Sequence, residues 1–549
     1  METLMLSLRP YQQEAADAVI ESFKTNGSAL VVMPTGTGKT ILFSRIIEDH
    51  DWGRCLVLAH REELIRQAAN KIEAVSGCAP DIEMAGEYAD RSMFLRNPVI
   101  VSSIQTQSRG RMKRFDPHQF GLVIIDEAHH ATAKSYRRTI AHYRQNPNCK
   151  LLGVTATPDR SDESALGQVF DTVPCVYELS DAIADGWLVP VRQRVVTVDG
   201  LDMSSVRTTA GDLNGADLGK ILEQESVAHE IAHPTYELVG KRKALVFAVT
   251  VRQAEMIADI LNRHEQDCAR WVCGKTPKHE RAETLRDYTA GRFRFLVNVG
   301  VFTEGFDEPT IEVIVMARPT KSRALYSQCV GRGTRPLPGL VDDAGSCPER
   351  RRRIATSGKP FVEVIDYVGN SGRHKLVTTA DILGGKYGEE VVNLANHNTQ
   401  EAGTAQDISE ALENAAEEID RRKADERRRR MAVIATAKYK VGGEVDPFDI
   451  LDITEQPARG WDRVKKPSAR MAEVLDKAGV STQGMSYTQA SQLIGAMMER
   501  RNKDQCTFRQ AKVLSAHGYE TTATFAEART IIDSLAANGW KRRDLVEAY

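Results

Sequence analysis

Short apolar runs alternate with segments of helical periodicity between residues 29 and 158. The apolar runs are ALVVM, RCLVLAH, VIVSSI, GLVIID and KLLGVTAT, and the helical segments include KTILFSRIIEDH and REELIRQAANKIEAV. Near-continuous apolar runs are typical of strands in a parallel sheet that helices cover on both faces. The alternation therefore predicts an open, doubly wound α/β domain.

The same alternation begins again at residue 243. The predicted strands are KALVFAVT (243–250), RFLVNVGV (294–301), EVIVMARP (312–319) and FVEVIDYVG (361–369). A chain of 549 residues is also too long for a single hydrophobic core. We therefore predict two tandem domains with doubly wound parallel sheets, at residues 1–190 and 243–383, joined by a connection over residues 191–242.

The strand pattern ends after residue 383. We predict a charged helical linker over residues 384–462 and a helical tail over residues 463–549. The tail has 14 Lys and Arg and 9 Asp and Glu, so its net charge is about +5 (14 − 9 = 5). Two of its segments align, ARMAEVLDKAGVSTQGMSYTQASQLI (469–494) and FRQAKVLSAHGYETTATFAEARTII (508–532). Each is typical of a helix, a glycine turn and a second helix begun by Ser or Thr, which indicates a two-copy hairpin repeat.

The composition of the whole chain excludes little. Its formal charge is −2, from 73 Lys and Arg against 75 Asp and Glu, but a local basic lining is enough to bind a polyanion. The nine cysteines form no C-x-x-C pair, so reduced thiols in a cytoplasmic protein are the simplest interpretation. The sequence shows no secretion signal and no apolar stretch long enough to span a bilayer, so we expect no membrane role.

The stretch MPTGTGKT, residues 33–40, joins the first predicted strand to a helix. Gly36 and Gly38 allow the curled backbone whose N–H groups surround phosphate oxygens, and Lys39 would reach the β- and γ-phosphates. The Thr40 hydroxyl would ligate Mg²⁺. The remaining predicted nucleotide contacts in this loop are Thr35 and Thr37. A glycine-rich turn with an incidental lysine is the alternative, and Met stands at position 33 where the strict phosphate-loop pattern has Gly.

The stretch VIIDEAHH places two carboxylates at the end of a predicted buried strand, where an α/β sheet binds its ligands. Asp126 can hold the metal ion, and Glu127 can orient and deprotonate an attacking water. We expect His129 to couple this site to a neighbouring domain, whereas His130 could be an ordinary surface histidine. Acidic residues that merely cap a strand are the alternative.

The combination of motifs resembles the DEAH-type helicases of superfamily 2 over residues 5–370. The motifs are LRPYQ, the phosphate loop, VLAHREELIRQ, VIIDEAHH, SSIQTQS, VTATP, NVGVFTEGFDEP and QCVGRGTR. The resemblance implies two RecA-like domains and ATP hydrolysis coupled to movement on nucleic acid. In detail the chain is most similar to RadD-like bacterial helicases and to phage UvsW-like DNA helicases. It lacks the cysteine-rich zinc region of the RadD-like proteins, which puts any function of that region in doubt.

The resemblance also implies roles for residues outside the phosphate loop and the acidic pair. Gln12, with Arg9 beside it, is expected to contact the adenine base. Thr155 and Thr157 in VTATP are expected to couple hydrolysis to movement. Gly305 and Asp307 in the second domain are expected to complete the nucleotide site, with Asp307 on the ribose.

The segment QCVGRGTR is expected to supply the residues that act across a cleft. Arg332 and Arg335 are three positions apart, about one helical turn, so both can point from one face. An arginine from a second domain stabilises the charge that develops during phosphoryl transfer and often accelerates it by ~10³–10⁵. Gln328 is expected to reach the γ-phosphate or the water. Ordinary surface arginines are the alternative.

The predicted nucleic-acid contacts lie after strands of both domains. They are Arg61, Gln67, Gln105, Thr106 and Thr303. Hydroxyl, amide and backbone N–H groups bind phosphates without reading bases, so we expect sequence-independent binding that weakens with salt. Each of these residues could equally be a helix cap or a loop stabiliser.

The sequence thus predicts an ATP-dependent DNA helicase or translocase acting on repair, recombination or replication intermediates. The expected partner is single-stranded, forked or branched DNA, and the tail could bind duplex DNA or a protein, or pack on the motor. Three alternatives stay open. They are an RNA helicase, the motor part of a restriction system with a separate nuclease, and a nucleic-acid clamp that binds ATP without hydrolysing it.

Overall fold

The computed structural model describes residues 8–90, 98–156, 165–209, 211–303, 305–370, 374–434, 446–451, 453, 466–537 and 539–540. The chain divides into two compact units. The first comprises Met1–Gly385 and Glu389–Ile419, and the second comprises Lys386–Gly388 and Asp420–Tyr549. Within the first unit, we call residues 8–190 the first lobe and the remainder the second lobe.

The first lobe is built on a seven-stranded sheet. Its strands are β1 (Ser28–Val32), β2 (Arg54–Ala59), β3 (Asp81–Glu83), β4 (Val99–Ser103), β5 (Phe120–Asp126), β6 (Lys150–Thr155) and β7 (Thr172–Val176). The order across the sheet is β3-β4-β2-β5-β6-β1-β7, and every neighbouring pair is parallel. All residues of β1, β2 and β4 are buried, as their apolar runs predict.

Helices of the first lobe connect these strands. They are α1 (Pro10–Phe23), α2 (Lys39–Glu48), α3 (Glu62–Ser76), α4 (Ile104–Ser108), α5 (Lys134–Tyr143) and α6 (Leu179–Ala184). Because all the strands are parallel, the loops that follow β1, β2, β4, β5 and β6 open at one edge of the sheet. The phosphate loop and the acidic pair therefore lie at the same edge.

The second lobe is built on another seven-stranded sheet. Its strands are β8 (Val191–Asp202), β11 (Ala244–Phe247), β12 (Ala269–Cys273), β13 (Phe295–Val299), β14 (Val313–Met316), β15 (Val362–Asn370) and β16 (Gln406–Asp407), and β9 (Thr208–Thr209) and β10 (Asp212–Leu213) form a separate small ladder. The order is β12-β13-β11-β14-β15-β8-β16, and only the short edge strand β16 is antiparallel to its neighbour.

The helices of the second lobe are α7 (Gly215–Leu222), α8 (Glu225–Val239), α9 (Val251–His264), α10 (Lys278–Thr289), α11 (Arg323–Gly331), α12 (Cys347–Ala355), α13 (Thr379–Leu383), α14 (Glu389–Ala402) and the start of α15 (Ile408–Ile434). The predicted fold class is confirmed, with two tandem RecA-like domains followed by helices.

Residues 191–242 differ from their prediction as a connection between the domains. β8 pairs in parallel with β15, and α8 contributes Val227 and Ile231 to the same hydrophobic core as β11. β8 mixes buried, half-buried and exposed positions, so it lacks the continuous apolar run on which the strand predictions relied. Likewise, α14 and the start of α15 belong to the first unit, although we predicted a linker there.

The second unit is helical in its described residues. Its helices after α15 are α16 (Pro447–Leu451), α17 (Ala469–Ala478), α18 (Tyr487–Asn502), α19 (Phe508–Ala516) and α20 (Phe525–Ala537). They share a core that includes Leu475, Leu493 and Leu514. The two predicted repeat copies correspond to the hairpins α17–α18 and α19–α20.

The hairpins use matching signals at their helix ends. Gly479 and Gly518 have φ of +83° and +74°, a left-handed conformation that suits glycine after a helix. Ser486 and Thr524 accept hydrogen bonds from backbone N–H groups at the start of the second helix of each pair. In the part of the chain that the structure describes, no helix combines the length and the apolar character needed to cross a lipid bilayer.

Candidate functional site

The phosphate loop lies between β1 and α2 and has the backbone that an anion site requires. Gly36 and Gly38 have φ of +91° and +79°, and Lys39 is the first residue of α2. The Thr37 hydroxyl donates to the carbonyl of Pro34 at 2.7 Å and stabilises the turn. Backbone N–H groups at a helix N-terminus attract phosphate, so the local fold suits the predicted role.

Helix α1 braces this loop from the side. Gln12 Nε2 and the Tyr11 hydroxyl each donate to the carbonyl of Thr37 at 2.8 Å. A Cβ on Gly38 would lie 2.5 Å from Gln12 Nε2, so only glycine fits there without movement of Gln12. The Arg9 guanidinium lies 4.5 Å from the ring centre of Trp187. The predicted base contact Gln12 thus lies against the loop, and Arg9 lies next to Tyr11, to which it donates a hydrogen bond at 3.3 Å.

The acidic pair meets the loop at the carboxyl end of β5. Lys39 Nζ lies 3.3 Å from Glu127 Oε1, and these side chains are only 10% and 7% exposed. Asp126 is also buried, and its Oδ1 accepts the backbone N–H of Glu127 at 2.9 Å. Glu127 has φ of +49°, a conformation that costs energy for a residue with a side chain and often marks a functional site.

The residues at this edge fit a magnesium ion in their donor chemistry. The Asp126 carboxylate and the Thr40 hydroxyl provide the oxygen ligands that Mg²⁺ prefers, and the Lys39–Glu127 contact shows that their two loops meet. Such an ion would supply positive charge next to the phosphates.

His129 joins the acidic pair to the end of β6. Its Nδ1 lies 3.2 Å from Thr155 Oγ1 and 3.5 Å from Glu127 Oε2. The Thr155 carbonyl in turn accepts the backbone N–H of Met33 at 2.9 Å. The predicted coupling residues His129 and Thr155 are therefore in contact, whereas Thr157 lies outside the described residues.

The arrangement of the two arginines differs from the sequence prediction. Helix α11 ends at Gly331, so Arg332 and Arg335 do not share a helical face. Arg332 is buried and donates to the carbonyl of Thr303 at 2.7 Å and to that of Phe306 at 2.8 Å. Through these bonds Arg332 stabilises the loop after β13.

Arg335 contacts the phosphate loop of the first lobe. A Cβ on Gly36 would lie 3.2 Å from Arg335 Cγ, and one on Gly331 would lie 2.8 Å from the Cβ of Thr35. The guanidinium forms an ion pair with Asp307, and burial lowers the pKa of Arg335 to about 10. The predicted ribose contact Asp307 thus holds the arginine, and Gln328 lies buried on α11.

Lys359 is a residue of this site that the sequence analysis missed. It is 2% exposed, and its Nζ donates to the carbonyls of Arg335 at 2.8 Å and Pro309 at 2.7 Å. Burial lowers the pKa of Lys359 to about 7. An isolated lysine before a strand carries no sequence signal, so only the structure reveals that it ties the arginine segment to the loop after Asp307.

Two predicted nucleic-acid contacts of the first lobe bind the second lobe here, and their contact with nucleic acid stays a prediction. Arg61 Nη1 donates to the carbonyls of Gly300 at 3.2 Å and Val301 at 3.1 Å, and Gln67 Nε2 donates to that of Gly305. Lys278–Glu62 and Arg281–Glu63 ion pairs, at 2.5 and 3.1 Å, join the same faces.

The other three predicted contacts have local partners. Gln105 Nε2 donates to the carbonyl of His60 at 2.9 Å, and Thr106 Oγ1 accepts from Ser103 at 2.7 Å. Thr303 is buried, and its carbonyl accepts from Arg332. These residues act as caps and loop stabilisers here, and their contact with nucleic acid stays a prediction.

Two domain families match the chain. The family described as "Type III restriction enzyme, res subunit" matches residues 5–160, and the family described as "Helicase conserved C-terminal domain" matches residues 227–336. These matches agree with the two seven-stranded sheets and with the geometry of the phosphate loop. The chain therefore carries the two tandem RecA-like domains of the superfamily 2 helicase fold, one matched by each family.

Three relatives illustrate where the chain stands in this family. It is 32% identical over 346 residues to the proposed ATP-dependent helicase IRC3 of Saccharomyces cerevisiae, covering 60% of this chain and 49% of the relative. It is 30% identical over 338 residues to the proposed DNA 3'-5' helicase Rad25 of Halobacterium salinarum, covering 61% and 53%. It is 27% identical over 362 residues to the type I restriction enzyme EcoAI endonuclease subunit of Escherichia coli, covering 60% and 44%. The matched region is thus about half of each relative, and the closer similarity to RadD-like and UvsW-like proteins stays a prediction.

Proposed function

We propose that this protein is an ATP-dependent DNA helicase or translocase that acts on repair, recombination or replication intermediates. The observation that carries the proposal is the contact between Arg335 of the second lobe and Gly36 of the phosphate loop. An arginine placed across a cleft from a phosphate loop makes hydrolysis depend on the closed arrangement of the lobes. That dependence is what a motor requires.

The first lobe would bind the nucleotide and prepare the water. The N–H groups of the loop and the Lys39 ammonium would hold the β- and γ-phosphates, with Lys39 exchanging its contact with Glu127 for the phosphate. Glu127 would then be available to orient and deprotonate the attacking water. Mg²⁺ held by Thr40 and Asp126 would neutralise phosphate charge.

The second lobe would complete the site during closure. Arg335 would exchange its pairing with Asp307 for the negative oxygens of the transferring phosphoryl group. Asp307 would be released toward the ribose, and Gln328 would help to position the water. Loss of the γ-phosphate would remove the charge that holds Arg335, so the lobes could part after each turnover.

Coupling to nucleic acid would pass through His129. This side chain contacts both Glu127 and Thr155, so a movement of the acidic pair would move the residues at the end of β6. The residues that would bind the strand, Arg61 and Gln67, now contact the loop after β13. A change in lobe separation would therefore change the surface offered to the strand.

DNA is favoured over RNA by the named relatives, which include a proposed DNA 3'-5' helicase and a restriction enzyme subunit. We accordingly propose 3'-5' movement. ATP hydrolysis should be measured with single-stranded DNA, forked DNA and RNA of matched length. The proposal expects stimulation by DNA above that by RNA, and loss of turnover in Lys39→Ala and Glu127→Gln. Stronger stimulation by RNA would overturn the DNA assignment.

A restriction motor is a second candidate, because the first domain matches a restriction enzyme family and EcoAI is a relative. The two candidates differ in what they do to a duplex. A restriction motor moves along duplex DNA without separating it, so it displaces a triplex-forming strand but leaves a fork paired. Parallel triplex-displacement and fork-unwinding assays would decide between them.

The helical second unit is proposed as a site for DNA or a protein partner. Its core includes Phe448 and Leu451 of α16 as well as residues of α17–α20, so residues 446–549 can be deleted as a block to test this role. The proposal expects the deletion to lower fork binding while basal ATP hydrolysis persists. Unchanged fork binding would leave the unit without a part in DNA recognition.

A further inference from the structure

Tyr88 of the first lobe is an aromatic side chain that the predicted motifs do not include. It is 62% exposed, and it is the one exposed large hydrophobic or aromatic side chain among the described residues of the first unit. A single exposed aromatic residue is ordinary on a protein surface. The surroundings of Tyr88 are what distinguish it.

Two guanidinium groups lie over the Tyr88 ring. The Cζ atoms of Arg111 and Arg114 are 4.0 and 4.7 Å from the ring centre. Both arginines donate from Nη1 to Glu83 Oε1, at 3.0 and 3.1 Å. The Glu83 side chain is fully buried, so it anchors the pair rigidly.

Glu83 also anchors the loop that carries the tyrosine. Its Oε2 accepts the backbone N–H of Ala89, next to Tyr88, at 2.7 Å. Arg66 of α3 donates from Nη1 to Glu87 at 2.9 Å and so holds the other neighbour of Tyr88. The loop is therefore held on both sides of Tyr88, and less conformational entropy would be lost when a ligand contacts the ring.

The basic stretch beside the ring suits a polyanion, although Glu83 and Glu87 pair with some of its arginines and with Arg66. The stretch RGRMKR, residues 109–114, has four basic residues and no acidic one. It directly follows α4, which carries the predicted nucleic-acid contacts Gln105 and Thr106. Single strands bind to grooves in which basic groups follow the backbone and aromatic rings stack on bases. A duplex interior offers no free base face, so this combination fits a single strand.

We propose that Tyr88, with Arg111 and Arg114, forms a stacking site for one base of single-stranded DNA, with the guanidinium groups next to the adjoining phosphates. The site rests on the proposed function, because it extends the path of the strand beyond the predicted helicase motifs. The protein then holds the strand by an aromatic face as well as by phosphate contacts, and it does so without reading sequence.

The test compares full-length wild type, Tyr88→Ala and Tyr88→Phe by fluorescence anisotropy with labelled single-stranded and duplex DNA. Removing the ring should weaken single-strand binding about 5- to 150-fold, while the phenylalanine variant stays close to wild type. Duplex binding should not change. Because the ring has no charge, the salt dependence of Tyr88→Ala should match wild type, whereas that of Arg114→Ala should fall by about one ion.

A direct readout uses oligonucleotides with 2-aminopurine at successive positions. Stacking on Tyr88 should change the fluorescence at one position in wild type and Tyr88→Phe, and this change should disappear in Tyr88→Ala. Equal binding of single strands by wild type and Tyr88→Ala, or an equal loss on duplex, overturns the stacking site. Wild-type protein that neither binds DNA nor is stimulated by it overturns the proposed function itself, so the two failures are distinguishable.

Discussion

Arg335 packs on Gly36, with its Cγ 3.2 Å from the point that a Cβ on that glycine would occupy. The two residues come from different sheets and are separated by most of the motor sequence. Gly36 has φ of +91°, a conformation that favours glycine, and a Cβ at this position would press closely on the arginine side chain. The contact brings a guanidinium next to the loop that would hold phosphate.

Replacing Arg335 with Ala is expected to lower the maximal rate of ATP hydrolysis by about 10³-fold or more, because the developing negative charge loses its partner. Nucleotide affinity should change far less. Steady-state kinetics with saturating DNA would measure both. Arg353→Ala is a suitable control, since Arg353 belongs to the same lobe and pairs with Asp343 and Glu349. A rate near that of wild type in Arg335→Ala would contradict the assignment.

Replacing Lys359 with Met removes two hydrogen bonds but keeps the length of the side chain. The carbonyls of Arg335 and Pro309 would lose their shared donor, so the arginine segment should be less well positioned. We expect the turnover number to fall about 10- to 150-fold. The Michaelis constant for ATP should change less than the turnover number.

The control for Lys359 is Lys321→Met, in which a half-buried lysine of the same lobe loses its bond to Thr208. Lys321→Met should behave as wild type. A rise in the Michaelis constant without a fall in turnover would contradict a positioning role for Lys359.

Replacing His129 with Ala breaks the contacts with Thr155 and Glu127. Because the phosphate loop and the carboxylates are left in place, basal ATP hydrolysis should persist. Stimulation by DNA should fall about 2- to 10-fold, the value of one ordinary hydrogen bond. The ratio of stimulated to basal rates is the measurement, and an unchanged ratio would show that coupling takes another route.

Asp366 predicts a pH dependence of stability. Burial raises the pKa of this carboxyl to about 6, although Tyr326 and Gln193 donate hydrogen bonds to it. The folded state therefore binds a proton that the unfolded state releases above about pH 4. The stabilisation from the neutral acid is present in full below that value and is lost as the pH rises through about 6.

Asp366→Asn keeps an oxygen for both donors and has no charge to bury. Its free energy of unfolding should exceed that of wild type by up to about 3 kcal/mol at pH 8. The advantage should shrink steadily toward pH 4. Thermal unfolding of both proteins at several pH values would test this, and an advantage independent of pH would exclude titration of Asp366 as its cause.

The sequence predicted those parts of the fold that depend on local pattern. β1, β2, β4 and β5 are buried runs, and their periodicity alone identified them. β8 was missed because its exposure changes along the strand, and its place in the second sheet depends on pairing with β15 from far along the chain. Tertiary pairing of this kind leaves no local signal.

The site divides in the same way. The phosphate loop and the Asp126–Glu127 pair could be predicted, because they belong to short motifs in which the spacing of the residues determines their positions. The prediction that Arg332 and Arg335 share one helical face was wrong, because α11 ends at Gly331. The spacing of two arginines does not reveal where a helix ends. Lys359 and Tyr88 depend on partners distant in sequence, so only coordinates identify them.

The bonds of Arg61 and Gln67 to the loop after β13 have a consequence for affinity. Any strand that takes these two side chains must first displace carbonyl groups of the opposite lobe, so intramolecular and intermolecular partners compete for the same donors. If the interlobe hydrogen bonds became stronger, the binding free energy of the strand would become less favourable by the same amount. A variant with weaker interlobe bonds should thus have a higher affinity for DNA. The same variant should move along the DNA at a lower rate.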